Sequence, residues 1–310
     1  MQLTTLCIRS LAHHRRAGIA VALGAAVGTA VLTGALLVGD SMRGSLRDVA
    51  LSRLGGVDYA LRSGRFFRKT LADDIASDER FQARFGVAVP LIMLRGAATH
   101  PTGHATVHRV NVLGIDDRFS ALDTSGLPHD APTAGSRQVI LNRPLAQQLG
   151  AKMGDDILLR VSRPADVSSE MLLGRRETAA MSVRLSVAGV IPTTGLGQFS
   201  LEPKQPLPLN AYLPLDSLQR LLDQPNRVNT ILVAGRNLPN DASNESEGLQ
   251  GILHRKASLT DVGLSLRVDE AHGYVALESS SFLIEPPVEA AAMDAAADLG
   301  LAPSRVLTYL

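Results

Sequence analysis

His100, His104 and His108 are the residues whose type and spacing come nearest to a chemical site. On a helix, four-residue spacing would put three imidazoles on one face, where they could hold a metal ion. Pro101 and Gly103 stand between them, so the segment reads as a hairpin turn with its histidines in solvent. Asp73-Asp74 and Asp116-Asp117 are paired carboxylates, but neither a partner histidine nor a glycine-rich calcium loop accompanies them. They read as a helix face and a strand-end turn, and Asp155-Asp156 as part of a Gly-Asp turn. Thr193-Thr194-Gly195-Leu196-Gly197 is glycine-rich but lacks the lysine and the strand–turn–helix setting of a phosphate loop, and reads as a flexible loop. No GxxxxGK[ST], GxSxG or HExxH sequence occurs in the chain. No residue is therefore assigned to catalysis, to a metal or to a cofactor, and an enzyme is not expected.

Composition narrows the classes further. The formal net charge is +1, which favours neither nucleic acid nor an acidic surface as partner. Aromatic residues make up 4% and Trp is absent, so stacking platforms for bases or sugars are lacking. Cys7 is the single cysteine, which rules out an intramolecular disulfide. An apolar core must hold the fold.

The element that must position everything else is Ala17–Gly39, a run without charge, Pro or amide side chains. As a helix rising about 1.5 Å per residue it reaches roughly 35 Å, more than a hydrocarbon core of about 30 Å. A cleaved secretory leader has a shorter apolar core of about 7–15 residues, and a soluble core helix rarely stays apolar on all faces for so long. The run is read as an uncleaved transmembrane anchor. Arg9, Arg15 and Arg16 precede it, and Arg43, Arg47 and Arg53 follow it. The two flanks nearly tie on the positive-inside count. Arg15-Arg16 abut the span, and this places the N-terminus inside and residues 40–310 outside the cytoplasm.

Ala20, Gly24 and Gly28 recur at fourfold spacing within the span, with Thr29 and Thr33 nearby. Small residues at that spacing let a second helix approach closely in lipid. Beyond the span, Met42, Leu46, Val49 and Leu54 are interleaved with Arg43, Arg47, Asp48 and Arg53 at helical spacing, up to Gly55-Gly56. The alternatives are a stalk continuous with the span and an ordinary first helix of the domain. The segments expected are a basic cytoplasmic stretch 1–16, the span 17–39, an amphipathic stalk 40–56 and an extracytoplasmic domain 57–310. A subdomain is expected around 130–205.

Within that domain strand-like and helix-like pieces alternate, which predicts an α+β class with mixed sheets and flanking helices. Strands are expected at Val57–Leu61, Val87–Thr99, Ala105–Ile115, Arg137–Asn142, Ile157–Val161, Met181–Ile191, Ala211–Leu213 and Asn229–Ala234. Helices are expected at Thr70–Arg84, from Asn142 to Leu149, at Asp216–Leu222, near Glu245–Lys256 and at Val288–Leu299. Asn142 stands as the cap of the second of these, with Pro144 in its first turn and Gly150 closing it. Thr124–Ser136 and Thr193–Pro208 read as a loop and a crossover.

The opening residues, LAHHRR followed by the span and then GALLVGDSMRGSLRDVALSRLGGVDYAL, resemble the amino terminus of FtsX/MacB-type ABC transporter permeases. RQVILNRPLAQQLGAKMGDDILLRV resembles their extracytoplasmic core, and VRLSVAGVIP with NAYLPLDSLQRLL resembles a strand and helix of the same domain. The resemblance implies a MacB-like core domain after the first span, with three further spans and an ABC-type ATPase subunit as partner. It implies a second permease copy, a cytoplasmic-membrane location, and a lipoprotein, lipid or other amphiphile as cargo. The sequence given stops where the approach to a second span is expected, so a truncated permease component is one reading. The alternative is a single-span adaptor that recruits a partner without transport.

Overall fold

The computed structural model describes residues 13–123, 137–162, 180–235, 242–279 and 284–306. The expected loop Thr124–Ser136, Cys7 and most of the basic N-terminal segment lie outside the described residues. The chain divides into two units, one of residues 1–52 with 202–205, the other of residues 53–201 and 206–310.

Helix α1 runs Arg15–Leu54. No Pro interrupts it, and Gly55 follows at φ +61°, a left-handed conformation that ends helices at low steric cost. In the second unit, β1 (Tyr59–Arg68) pairs antiparallel with β8 (Arg227–Gly235). β2 (Phe85–His100) does two jobs. Its residues from Phe85 to Leu91 pair with β8, and those from Ile92 to His100 pair with β3 (Ala105–Ile115). Gly96–Thr99 also pair with β5 (Asp156–Ser162) on their other side. The ring β2-β3-β7-β4-β6-β5 is thereby closed, with β4 at Gln138–Asn142, β6 at Ala180–Ile191 and β7 at Asn210–Pro214. β3 with β7 and β4 with β6 are parallel, and the other pairs are antiparallel, so the sheet is mixed.

Closure sets a demand at Gly96. A Cβ there would come within 2.4 Å of the Arg160 carbonyl oxygen, so only glycine admits the approach of β5. The adjoining bulge leaves Arg109 outside the β2–β3 register at φ +59°.

Strand alternation sorts the core into two clusters. Ala88, Ile92, Val110, Val112, Ala211 and Leu213 join one cluster, while Val89, Leu91, Leu113 and Tyr212 join the other. At about 25 cal/mol per Å² of apolar surface removed from water, these faces supply the main stabilising term.

Several expectations meet their elements, and others shift. α4 (Arg143–Leu149) is capped by the Asn142 side chain, which accepts from the Leu145 N–H, carries Pro in its first turn, and ends at Gly150 with φ +64°. The single helix expected over Thr70–Arg84 is two helices, α2 (Thr70–Ala76) and α3 (Glu79–Arg84). Asp78 is the reason: it adopts extended backbone, and its carboxylate accepts from the Arg80 N–H, starting a new helix. β1 begins later and runs further than the expected Val57–Leu61, through a stretch whose arginines hide its alternation. α5 (Leu215–Leu222) and α6 (Ala242–Lys256) sit near their expected places, as does α7 (Pro286–Asp298). The hairpin of β9 (Leu264–Asp269) and β10 (Tyr274–Ser279) was not expected.

Candidate functional site

The histidines are not brought together. His100 ends β2, is buried rather than solvated, and has its Nδ1 3.2 Å from the Leu149 carbonyl oxygen. His104 occupies the turn at φ +52°, and His108 is exposed on β3. Among the described residues, no three of His, Cys, Asp and Glu gather as metal ligands would. Asp73 and Asp74 are divided between separate arginines. Asp73 accepts from Arg118, which also holds Asp116 at 2.8 Å, while Asp74 accepts from Arg68 at 2.8 Å. Asp155 accepts from the Lys152 N–H at 2.7 Å.

Thr193–Gly197 is not a flexible loop. Leu196 is fully buried, and a Cβ on Gly197 would come 2.0 Å from the Pro192 carbonyl oxygen. The turn is fixed from below by an amide network that sequence reasoning missed apart from the capping role of Asn142. The Asn142 amide donates to the carbonyls of Gly197 at 2.9 Å and Pro208 at 2.7 Å, and its oxygen accepts from the Asn210 N–H at 3.0 Å. The Asn210 amide donates to the Phe199 carbonyl and to the Tyr212 hydroxyl, both at 2.9 Å. That hydroxyl in turn donates to the Leu196 carbonyl. Burial drives the phenol's pKa upward, so it stays a neutral donor. A signal for this network was present in the polar residue Asn210 directly ahead of an apolar strand.

A shallow cleft of about 440 Å³ lies against α4, lined by Arg143, Gln147, Lys152, Met153 and Val190 among others. Its lining holds no carboxylate, histidine, serine or cysteine beside Lys152, so no paired catalytic groups gather there.

The feature with a defined physical use is α1. Among the described residues it is the one helix long and apolar enough to cross a membrane. Turning about 100° per residue, a helix places Ala20, Gly24, Gly28, Val31, Ala35 and Val38 within one stripe roughly 80° wide. Met42, Leu46 and Val49 continue that stripe, and all three are exposed. A Cβ at Gly24 or Gly28 would meet nothing within 4 Å, so nothing in the fold itself requires glycine there. The helix does not bring the other predicted positions onto the stripe. Thr29 and Thr33 lie roughly on the far side, and Thr29 spends its hydroxyl on the Ala25 and Ala26 carbonyls, at 2.9 and 3.0 Å. Leu54 falls about 80° beyond the stripe's edge.

The sequence matches the family model described as the MacB-like periplasmic core domain over residues 19–246. No curated protein sequence matches the chain. Among solved structures it is similar to the periplasmic region of MacB from Actinobacillus actinomycetemcomitans, at 14% identity. That alignment covers 69% of this chain and 79% of the other, with a TM-score of 0.36. It is also similar to the extracellular domain of the noncanonic ABC-type transporter YknZ from Gram-positive bacteria, at 13% identity. There the coverage is 61% and 83%, with a TM-score of 0.38. At these scores the assignment rests on the family match.

Proposed function

The chain belongs to the MacB-like periplasmic core domain family, and from that premise we propose that it works as a permease component of an ABC-type transporter. The observation that carries this reading is the extent of the match, which begins at residue 19, inside the apolar run, and continues through the barrel to residue 246. Anchor and domain thus belong to one family pattern.

In this reading residues 17–39 cross the cytoplasmic membrane, residues 1–16 stay inside, residues 40–56 form the stalk, and residues 57–310 work outside. The chain carries no phosphate loop, so ATP hydrolysis falls to a separate ABC-type subunit. The stripe from Ala20 through Gly28 to Val49 is where another helix of the permease assembly packs. In lipid that contact is driven by close van der Waals approach, which small residues permit, and outside it by apolar burial at Met42 and Leu46. A lipid, lipoprotein or other amphiphile is the cargo class, moved or extracted as ATPase motion reaches the domain along the helix.

Purification of the tagged chain from its native membranes tests the proposal. A vanadate-sensitive ATPase activity in the isolated complex is expected, and it must come from a partner. The sharper arm uses single cysteines in a Cys7→Ser background. Gly28→Cys should form an oxidative cross-link in membranes and Thr33→Cys should not, because they face opposite ways. A preparation free of ATPase and of cross-links would favour the single-span adaptor instead.

A further inference from the structure

Beyond Leu264 none of the described residues is buried. β9 and β10 pair only with each other, and an isolated two-stranded hairpin is marginal in water. Leu266, Val268 and Val275 share one face of it and stay exposed. α7 buries nothing either. Apolar anchoring of this part of the chain ends at Ile252 and Leu264.

What fastens it is β1. The Arg68 Nε donates to both Asp261 oxygens, at 3.1 and 2.9 Å. Its Nη1 donates to Asp74 on α2 at 2.8 Å, and its Nη2 to the Lys256 carbonyl at the end of α6, also at 2.8 Å. The Arg68 backbone N–H adds a bond to Asp261 at 3.2 Å. One planar guanidinium therefore joins β1, α2, α6 and the 3-10 turn Leu259–Val262 that leads into β9. Asp261 is the buried partner, its side chain 3% exposed, and it also closes that turn by accepting from the N–H and hydroxyl of Ser258. Arg65 grips the same segment at two further points, the Val262 carbonyl at 3.2 Å and Glu285 at 3.0 Å.

We infer that Arg68 is the pin of an ionic clamp that mounts residues 258–279 on β1 as a piece able to release while the barrel stays folded. The physics differs from that of the core. Opening an apolar core exposes surface and leaves a cavity, so it costs nearly the whole folding free energy. Opening this clamp hands its donors and acceptors to water, which already reaches Arg68, whose side chain is 34% exposed. Leu264 is the one buried apolar residue between 258 and 279, so the apolar penalty of release is small. The clamp is a property of the domain itself and stands whether or not the chain serves a transporter.

Hydrogen–deuterium exchange on the full chain in detergent or nanodiscs tests it, comparing Arg68→Ala with the natural protein. Amides in 258–279 should exchange roughly tenfold faster or more, while those in β4 and β7 change by less than about twofold. Asp261→Asn keeps the size of the side chain and removes its charge; it should loosen the same segment and keeps the test open if Arg68→Ala fails to fold. Unchanged exchange in 258–279 in a folded variant would overturn the clamp. So would an equal rise in the barrel strands, which would make Arg68 an integral part of the main fold.

Discussion

In the ring of β2, β3, β7, β4, β6 and β5, every strand buries side chains, β7 on both faces, and the polar groups inside, Asn142 and Asn210, are hydrogen-bonded through both ends of their amides. In residues 265–306 the described side chains are all at least partly open to solvent, and the attachments are ionic. The difference teaches how one domain holds parts of unequal stability. Burial is non-directional and sums over many contacts, so the ring opens all at once or not at all. The clamp rests on a few directed bonds around Arg68, so its release is local.

The largest effect expected from a change that probes this contrast is in the ring. Asn142→Ala removes a buried amide that satisfies the Gly197 and Pro208 carbonyls and the Leu145 and Asn210 N–H groups. Leaving such groups unpaired should cost about 4 kcal/mol and lower the thermal midpoint of the whole domain, as calorimetry or circular dichroism would record. Asp261→Ala should cost about 2 kcal/mol, because Arg68 keeps only Asp74 and the Lys256 carbonyl and the Ser258 N–H loses its acceptor. Here the loss should show as proteolytic cutting within 256–279, with the midpoint of the ring much less affected.

Acid should act on the clamp in one direction. Burial works to raise the Asp261 pKa, but the Ser258 N–H, the Arg68 guanidinium and the Ser258 hydroxyl together hold it below the ordinary value. The stabilisation is therefore complete above the unfolded pKa of about 3.9 and is lost as pH falls through the lower folded value. Digestion by an acid protease should find 256–279 opening below about pH 4, and no opening traceable to Asp261 above about pH 5. Two smaller changes sharpen the contrast. Arg109→Gly relieves the left-handed bulge residue and should stabilise the ring by about 0.5–1 kcal/mol in denaturant titration. Leu266→Ser, on the open hairpin face, should move stability by less than about 0.5 kcal/mol.

Local signals made much of the fold legible. The β2–β3 hairpin followed from two alternating runs about a Pro-Thr-Gly turn, and α4 from Asn142, Pro144 and Gly150, each acting within a few residues of its place. Long-range pairing was not legible. Nothing near Gly96 announces that Arg160 will approach it, and the parallel pairing of β3 with β7 joins residues far apart in the chain. Asp78 splits a helix whose apolar pattern runs through it. On α1 the fourfold spacing of Ala20, Gly24 and Gly28 was legible as a stripe of small residues, whose packing role is the proposal above. At about 100° per residue Thr29 and Thr33 turn away from those three, and Leu54 turns away from its stalk neighbours Met42, Leu46 and Val49, a rotation that spacing read by eye does not display. Arg68 gave no signal, because an arginine in an alternating strand reads as a solvated side chain until its partners are known.

The most direct test of the account is native-state hydrogen exchange of the full, unmodified chain at rising urea concentration. Amides in β9 and β10 should exchange by a small opening almost independent of urea, while amides in β4, β6 and β7 follow the global unfolding line with its steep urea dependence. A single common line for both sets would contradict it, and would mean that the hairpin and the ring unfold as one.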